Sequence, residues 1–178
     1  GTGNSALGKG SLAANTTADN NTGLGANALG ANTTGAQNTA VGTYALDANT
    51  TGSYNTGVGY AVFDSNTTGA NNTAVGGLAL DANTTGAHNV AVGYNAGTAV
   101  TTGIENTCLG ASAGDTTTTG TNNVLLGSGA SVSAVDGSGA NVLGRNVSGE
   151  AGYTTLGSGS DDIRAAHGNV TWATVSDE

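Results

Sequence analysis

The sequence contains no proline and no methionine, and it has one cysteine and three basic residues. Proline would remove a backbone donor from a hydrogen-bonded ladder, so its absence permits uninterrupted stacking of extended segments. The single Cys108 excludes an intrachain disulfide, and we interpret it as a small core residue. Lys9, Arg145 and Arg164 are too few to form a surface that follows a phosphate backbone. Nucleic acid and anionic membrane surfaces are therefore not expected partners.

Charge is scarce and mostly of one sign. Charged residues make up 8% of the chain, and the formal net charge is −9 at pH 7. No stretch is apolar enough to span a bilayer, so membrane insertion is not expected. The 32 glycines suit tight corners, and with the low charge they favour a rigid, repetitive scaffold.

An asparagine recurs every 17 residues along most of the chain. It occupies Asn4, Asn21, Asn38, Asn55, Asn72, Asn89, Asn106 and Asn123. The surrounding pattern is N-T-A-V-G-x-x-A-L-x-A-N-T-T-G-x-x, clearest from Asn38 to Tyr54. A fixed period of this kind indicates one structural unit stacked on copies of itself. Because the unit is short and rich in Gly, Thr and Asn, we predict an all-β fold, a parallel β-solenoid of the β-roll or β-helix type with 17-residue coils.

Each coil is numbered here from its recurring asparagine as position 0. Apolar side chains recur at position 3, a Leu or Val, and at position 8, a Leu or Phe as far as Leu80. Position 4 is always glycine, and the short segments between such corners predict two or three strands per coil. Alternation along T-A-V separates position 3 from the small residue at position 2. We expect positions 3 and 8 to form the core, and position 2 to face a neighbouring chain.

One coil cannot be stable alone. Burying its two large apolar side chains contributes about 1.5–3 kcal/mol each, whereas ordering its backbone costs about 1–2 kcal/mol per residue. Stacking adds ladder hydrogen bonds, but many positions are Ala or Gly and the core stays thin. We therefore expect burial between copies of the chain to supplement the core.

The recurring asparagines are predicted to form structural ladders along the stack, because Asn tolerates left-handed corners and can bond to its own copy one coil away. The ladder at position 0 comprises Asn21, Asn38, Asn55, Asn72, Asn89 and Asn106. Asparagines at position 11, such as Asn32 and Asn49, form a second ladder. N-x-T sequons such as Asn32-Thr33-Thr34 follow from the repeat, so N-glycosylation in a eukaryotic secretory setting is an open alternative.

The repeat weakens toward the C-terminus, and three regions are predicted. Residues 1–140 form regular 17-residue solenoid repeats, and residues 141–157 form degenerate coils. Residues 158–178 form a non-repetitive C-terminal cap or transition element with an alternating strand from Val170 to Val175. Solenoids need atypical ends because an exposed sheet edge pairs readily with other chains.

The N-T-A-V-G-x-x-A-L-x-x-N-T-T-G wording resembles repeats in phage tail fibres and related bacterial surface proteins. It also resembles the head repeats of trimeric autotransporter adhesins, whose coils form trimeric β-rolls. The resemblance covers Asn4 to about Gly157. It implies a homotrimer, a location outside the cell or on the virion surface, and a host cell-surface glycan or protein as a partner.

The ending carries a second resemblance. The segment from Trp172 to Glu178 is similar to the junction before the intramolecular chaperone domain of endosialidase-type phage tail spikes and fibres. In that family the chaperone releases itself by cleavage at a Ser-Asp bond after trimer assembly. The resemblance implies a self-cleavage junction between Ser176 and Asp177.

No motif for a catalytic nucleophile, a zinc protease or a Cys/His metal site is present, so we expect no enzymatic activity and no cofactor. Asp47, Asp64 and Asp81 share position 9 of successive coils. Stacking would place them about 5 Å apart. Three interpretations are open: a solvated acidic stripe, a weak Ca²⁺ site, and a catalytic carboxylate pair.

Aromatic residues and threonines provide two further surfaces. Tyr44, Tyr60 and Tyr94 lie beside the first corner, where they could stack on sugar rings or cover the corner. The Thr-Thr pairs at positions 12 and 13 suggest an ice-binding solenoid, but adjacent side chains point to opposite faces and leave one outward rank. We predict a structural and adhesive segment of an elongated trimeric fibre that mediates attachment to a host cell. The alternatives are an ice-binding β-solenoid and an autotransporter adhesin head.

Overall fold

The computed structural model describes residues 1–159, 161–168 and 173–175. The strands are β1 (Ser5–Leu7), β2 (Thr22–Leu24), β3 (Thr39–Val41), β4 (Thr56–Val58), β5 (Thr73–Val75), β6 (Val90–Val92), β7 (Thr107–Leu109), β8 (Val124–Leu126), β9 (Ser131–Val132), β10 (Asn141–Arg145), β11 (Ser148–Gly149), β12 (Tyr153–Ser158), β13 (Asp161–Ala166) and β14 (Ala173–Val175). A twelve-stranded sheet has the order β1 to β8, β10, β12, β13, β14, and β9 pairs with β11. There is no helix in the described part of the chain.

The strands β1 to β8 are parallel and in register, each shifted by one 17-residue repeat. Thr39 is opposite Thr56, for example, and Val41 is opposite Val58. The same parallel pairing continues through β10 to β12. The predicted all-β, parallel β-solenoid is therefore confirmed, with about nine coils.

Each of the first seven coils contains one three-residue strand, so the expectation of two or three strands per coil is wrong. Left-handed residues interrupt the extended backbone after the first corner: Tyr44 has φ 59° and Leu46 has φ 55°. These turns still bond to both neighbouring coils. The Tyr44 N–H donates to the Ala26 carbonyl at 2.9 Å, and the Leu46 N–H donates to the Val62 carbonyl at 2.9 Å.

The apolar interior is formed by positions 2, 7 and 8, not by positions 3 and 8. Ala40 and Ala74 at position 2 are fully buried, as are Leu46 and Phe63 at position 8, whereas Val75 at position 3 is 39% exposed. The space between the strand and the facing turn is narrow. A large side chain at position 8 fills it, so only a small residue fits at position 2. The expectation that the small-residue face meets a neighbouring chain is therefore reversed.

Later coils exchange the sizes of these two core positions. Position 8 becomes Gly97 and then Gly114, while position 2 becomes Cys108 and then Leu125. A Cβ added at Gly97 would lie 2.9 Å from Leu80 Cδ2, and one at Gly114 would lie 2.5 Å from Cys108 Sγ. Neighbouring side chains therefore occupy the volume that the glycines leave, as close-packed interiors require.

The C-terminal end changes both period and direction. Asn141 in β10 is opposite Thr154 in β12, a shift of one shortened coil, and β13 then pairs antiparallel with β12. Arg164 in β13 forms an ion pair with Glu150 and lies 5.4 Å from the centre of the Tyr153 ring. Ala173–Val175 pair antiparallel with β13 as β14, and residues 170–172 of the predicted strand lie outside the described residues.

Candidate functional site

The outer face of the sheet carries a continuous column of aliphatic side chains. Its members are paired strand to strand and comprise Leu7, Leu24, Val41, Val58, Val75, Val92, Leu109, Leu126, Leu143, Leu156 and Ile163. The column passes unbroken through the shortened coil and into the antiparallel β13. All of these side chains are exposed or half-buried in the single chain.

A second outward column runs beside the first, at position 1 of the same strands. It comprises Ser5, Thr22, Thr39, Thr56, Thr73, Val90, Thr107, Val124, Asn141 and Thr154. We call the two columns together the outer stripe. No residue of the outer stripe is charged, although the chain has a net charge of −9. Eleven strands at about 4.8 Å give a length of about 50 Å, and two alternate residues give a width of about 7 Å.

Sequence reasoning missed the outer stripe because it assigned position 3 to the core. The repeat nevertheless contains a pattern that shows which positions share the interior. Position 8 shrinks to Gly97 and Gly114, and position 2 grows to Cys108 in the coil of Gly114 and to Leu125 in the next coil, while Leu109 and Leu126 at position 3 stay large. Two positions that compensate each other in volume share one interior. Position 3 does not take part in that compensation, which indicates that it lies elsewhere.

The asparagines at position 0 lie inside the solenoid and bond along its axis. Asn72 is fully buried, and its Oδ1 accepts the Asn89 backbone N–H at 2.8 Å. Its Nδ2 donates to the Gly86 carbonyl at 2.9 Å and to Asn55 Oδ1 at 3.1 Å. Equivalent bonds between side-chain Oδ1 and the next backbone N–H connect Asn21, Asn38, Asn55, Asn89, Asn106 and Asn123.

The asparagines at position 11 form a second buried ladder. Asn49 Nδ2, for example, donates to Asn32 Oδ1 at 2.9 Å and to the Gly52 carbonyl at 3.0 Å. The ladder ends at Asn83, because the next coil carries Val100 at this position. Asn83 Oδ1 is buried and has no hydrogen-bond partner within the described residues.

The aspartates at position 9 lie at the surface in successive coils. Partial burial raises the pKa of Asp47, and the Asp64 carboxylate raises it further. The pKa of Asp64 is raised in the same way, first by desolvation and then by Asp81. Asp81 Oδ1 accepts a hydrogen bond from Thr98 Oγ1 at 2.6 Å. Over the described residues, no three His, Cys, Asp or Glu side chains come together so as to hold a metal ion.

The predicted tyrosines form an exposed row beside the outer stripe. Tyr60 is 60% exposed and Tyr94 is 59% exposed, with Gly77 between them at the same position of the intervening coil. Tyr44 lies one coil before Tyr60, and their rings meet edge to face with centroids 6.3 Å apart. Two of these rings are therefore open to solvent over most of their surface.

The remaining reactive side chains are dispersed. His88 is exposed, and His167 lies 3.3 Å from Asn141 Nδ2 near the C-terminal end. Burial raises the pKa of the Cys108 thiol to about 12, so its thiolate is not formed near neutral pH. A shallow groove over β1 and β2 is lined by residues without titratable side chains. Ser176 and Asp177, the predicted cleavage junction, lie outside the described residues.

Comparisons with known proteins were negative: no protein-family model, curated protein or solved structure matches this chain. Of the residues described, none belongs to a helix long and apolar enough to cross a membrane.

Proposed function

We propose that this chain is a structural segment of an elongated homotrimeric fibre that carries attachment to a host cell surface, as in phage tail fibres and surface adhesins. The observation that carries this proposal is the outer stripe. The outer stripe is uncharged and covers roughly 350 Å² in projection, about half of it the aliphatic column. Exposed apolar patches of a few hundred Å² are often interaction surfaces. The length of the outer stripe matches that of the solenoid, as a contact between parallel rods requires.

The partner that best fits the outer stripe is a second and third copy of the same chain. Copies with a net charge of −9 repel one another, and this repulsion is weakest where the facing surfaces carry no charge, as in the outer stripe. Three rods around a threefold axis parallel to their length would bring the same aliphatic residues together from all three chains. Burial there supplements the thin core of Ala and Gly inside each solenoid.

Solution mass measured by light scattering after size exclusion tests the trimer. We expect a species near three times 16.9 kDa. Val75→Glu would place three carboxylates at the axis, so we expect it to give a folded monomer. Thr85→Glu adds the same charge at an exposed position away from the outer stripe and should leave the trimer intact. A wild-type monomer, or equal effects of the two substitutions, would contradict the proposal.

Adhesion is the second part of the proposal, and the exposed tyrosines support it. Phenol rings that are open to solvent provide apolar faces for stacking on sugars. We expect Tyr60→Ala combined with Tyr94→Ala to reduce binding of the fibre to a glycan array. Tyr54→Ala is the matched control, because Tyr54 is 56% exposed at a different corner of the coil. Equal binding by all three proteins would exclude the tyrosine row from attachment.

An ice-binding function has one specific observation in its favour. On several strands an outward Thr and an outward Val or Leu lie two residues apart, as Thr73 and Val75 do, which gives two outward ranks. The Thr-Thr segments do not provide them, because Thr50 Oγ1 donates to the Thr67 carbonyl at 3.0 Å while only Thr51 of that pair is exposed. The trimer would cover these ranks. Thermal hysteresis well above that of a control protein, from a monomeric chain, would favour ice binding over the fibre.

A further inference from the structure

The repeat creates a sequon at each asparagine of the position-11 ladder. Asn-Thr-Thr occurs at Asn15, Asn32, Asn49, Asn66 and Asn83, and Asn-x-Ser/Thr is the acceptor motif for N-glycosylation. Such motifs are expected in surface loops of secreted proteins. Here, however, Asn32, Asn49, Asn66 and Asn83 are fully buried.

The nitrogen that would carry the glycan is the one that holds neighbouring coils together. Asn66 Nδ2 donates to Asn49 Oδ1 at 2.7 Å and to the Gly69 carbonyl at 3.1 Å. A substituted amide retains one N–H and cannot make both bonds. The attached sugar would also have to fit at a site with no solvent exposure, where even one extra methylene group strains the packing.

Other sequons of the same chain lie at the surface. Asn20-Asn21-Thr22, Asn71-Asn72-Thr73 and Asn146-Val147-Ser148 each begin with an exposed asparagine. A glycan on Asn20, Asn71 or Asn146 would point into solvent and leave the coils intact. Among the described residues there are thus two classes of acceptor, one compatible with the folded solenoid and one incompatible with it. A further sequon, Asn169-Val170-Thr171, lies outside them.

We infer that Asn32, Asn49, Asn66 and Asn83 accept N-glycans in the unfolded chain and that their occupancy prevents the coils from closing. The donor is an oligosaccharide linked to a lipid diphosphate. The Asn Nδ2 forms a bond to the anomeric carbon, the bond from that carbon to the phosphate oxygen breaks, the lipid diphosphate leaves, and the amide proton passes to solvent. It follows that the chain folds only where this transfer is absent, so that a fibre made of it is assembled outside an N-glycosylating secretory pathway.

The third residue of each buried sequon offers a clean test. Thr34, Thr51, Thr68 and Thr85 complete the motifs but are exposed and lie outside the asparagine ladder. Changing these four and Thr17 to Ala removes the acceptor motifs and leaves every ladder asparagine in place. The surface sequons remain in this variant and report whether the transferase reached the chain.

The wild-type chain and this variant would be produced with a signal peptide in a eukaryotic secretory host, and also in the bacterial cytoplasm. Glycan sites would be mapped by mass spectrometry, and folding by protease resistance. We expect the secreted wild-type chain to carry glycans at the position-11 asparagines and to be protease-sensitive. The secreted variant should carry glycans only at the sequons that remain and survive protease on the order of tenfold longer or more. Both proteins should be resistant when made in bacteria.

Three results would overturn the inference. The secreted wild-type chain could be resistant to protease with its position-11 asparagines occupied, which would show that the glycan is tolerated. It could be resistant with them unoccupied, which would show that folding precedes transfer. The secreted variant could be as sensitive as the wild type, which would show that another step blocks folding.

Discussion

Truncating one asparagine in the middle of the position-0 ladder should destabilise the solenoid far more than changing its exposed neighbour. In Asn72→Ala, the buried Asn89 N–H loses its acceptor, Asn72 Oδ1 at 2.8 Å. The Gly86 carbonyl keeps the bond from Asn83 Nδ2 at 3.2 Å, and Asn55 Oδ1 keeps the Asn72 backbone N–H at 3.0 Å. One buried donor is therefore left unpaired.

An unpaired buried donor costs about 1–3 kcal/mol, and the small cavity left by the amide adds about 1 kcal/mol. We expect Asn72→Ala to lower the free energy of unfolding by about 2–4 kcal/mol. Asn72→Asp retains the acceptor but places a buried carboxylate against the Gly86 carbonyl and Asn55 Oδ1. At neutral pH it should be more damaging than Ala, and acid should reduce the difference because a protonated carboxyl regains one donor.

Denaturant unfolding followed by circular dichroism gives the free energies, and amide hydrogen exchange localises the effect. We expect faster exchange at the Asn89 N–H in Asn72→Ala. The matched control is Asn71→Asp, because Asn71 is exposed and its left-handed φ of 59° suits Asp as well as Asn. This control should change stability by less than about 0.5 kcal/mol. Equal losses in the two variants, with Asn89 still protected, would refute the structural role of the ladder.

Three further changes probe other parts of the account. Gly76→Ala should lower the free energy of unfolding by about 3 kcal/mol, because Gly76 has φ 135° and the new Cβ would lie 2.6 Å from the Gly93 carbonyl carbon. Gly77→Ala is the control and should be tolerated, because its Cβ would have its nearest contact at 3.6 Å. Equal melting temperatures of the two variants in a thermal melt would contradict this prediction. Because the pKa of Asp64 is raised in the folded state, that state binds the Asp64 proton more tightly than the unfolded chain does. The free energy of unfolding should therefore fall as pH rises from 3.8 through the folded pKa. Asp64→Asn should flatten this dependence of stability on pH. Cys108 should react with a thiol reagent at pH 8 only after unfolding, and rapid labelling of the native protein would show that it is not buried.

The stacking of the chain could be predicted from its sequence because the period is a direct consequence of stacking. An asparagine or glycine that recurs at a fixed interval occupies the same place in every coil, and the parallel register follows from that alone. The asparagine ladders could be predicted for the same reason, since Asn38 and Asn55 must lie one above the other.

Which face of each strand points into the core could not be predicted from alternation, because alternation separates the two faces without showing which one is buried. The size of a side chain did not show which face is buried. Val75 is larger than Ala74 but lies outside, since Leu80 from the facing turn already fills the interior. The left-handed backbone at Leu46 and Phe63 was also not predictable, because this conformation is costly for such residues and depends on the bonds to neighbouring coils.

Of the candidate surfaces, too, one could be located from the repeat and the other could not. The repeat locates the tyrosines beside the first corner, but it does not tell whether Tyr60 and Tyr94 are exposed. The outer stripe required knowledge of which face is inside, and so it emerged only from the three-dimensional arrangement. Its continuation into Ile163 depends on the antiparallel register of β13 with β12, which no repeat encodes.

Disulfide crosslinking tests whether the outer stripe joins copies of this chain. Cys108→Ala would first remove the native thiol, because other coils carry Ala at that position. In this background, Val75→Cys places a thiol on the outer stripe and Thr85→Cys places one on an exposed surface away from it. If the outer stripe joins copies of the chain, mild oxidation should link chains covalently through Cys at position 75 and leave the Thr85→Cys protein uncrosslinked. No crosslink at position 75, or equal crosslinking at both positions, would contradict it.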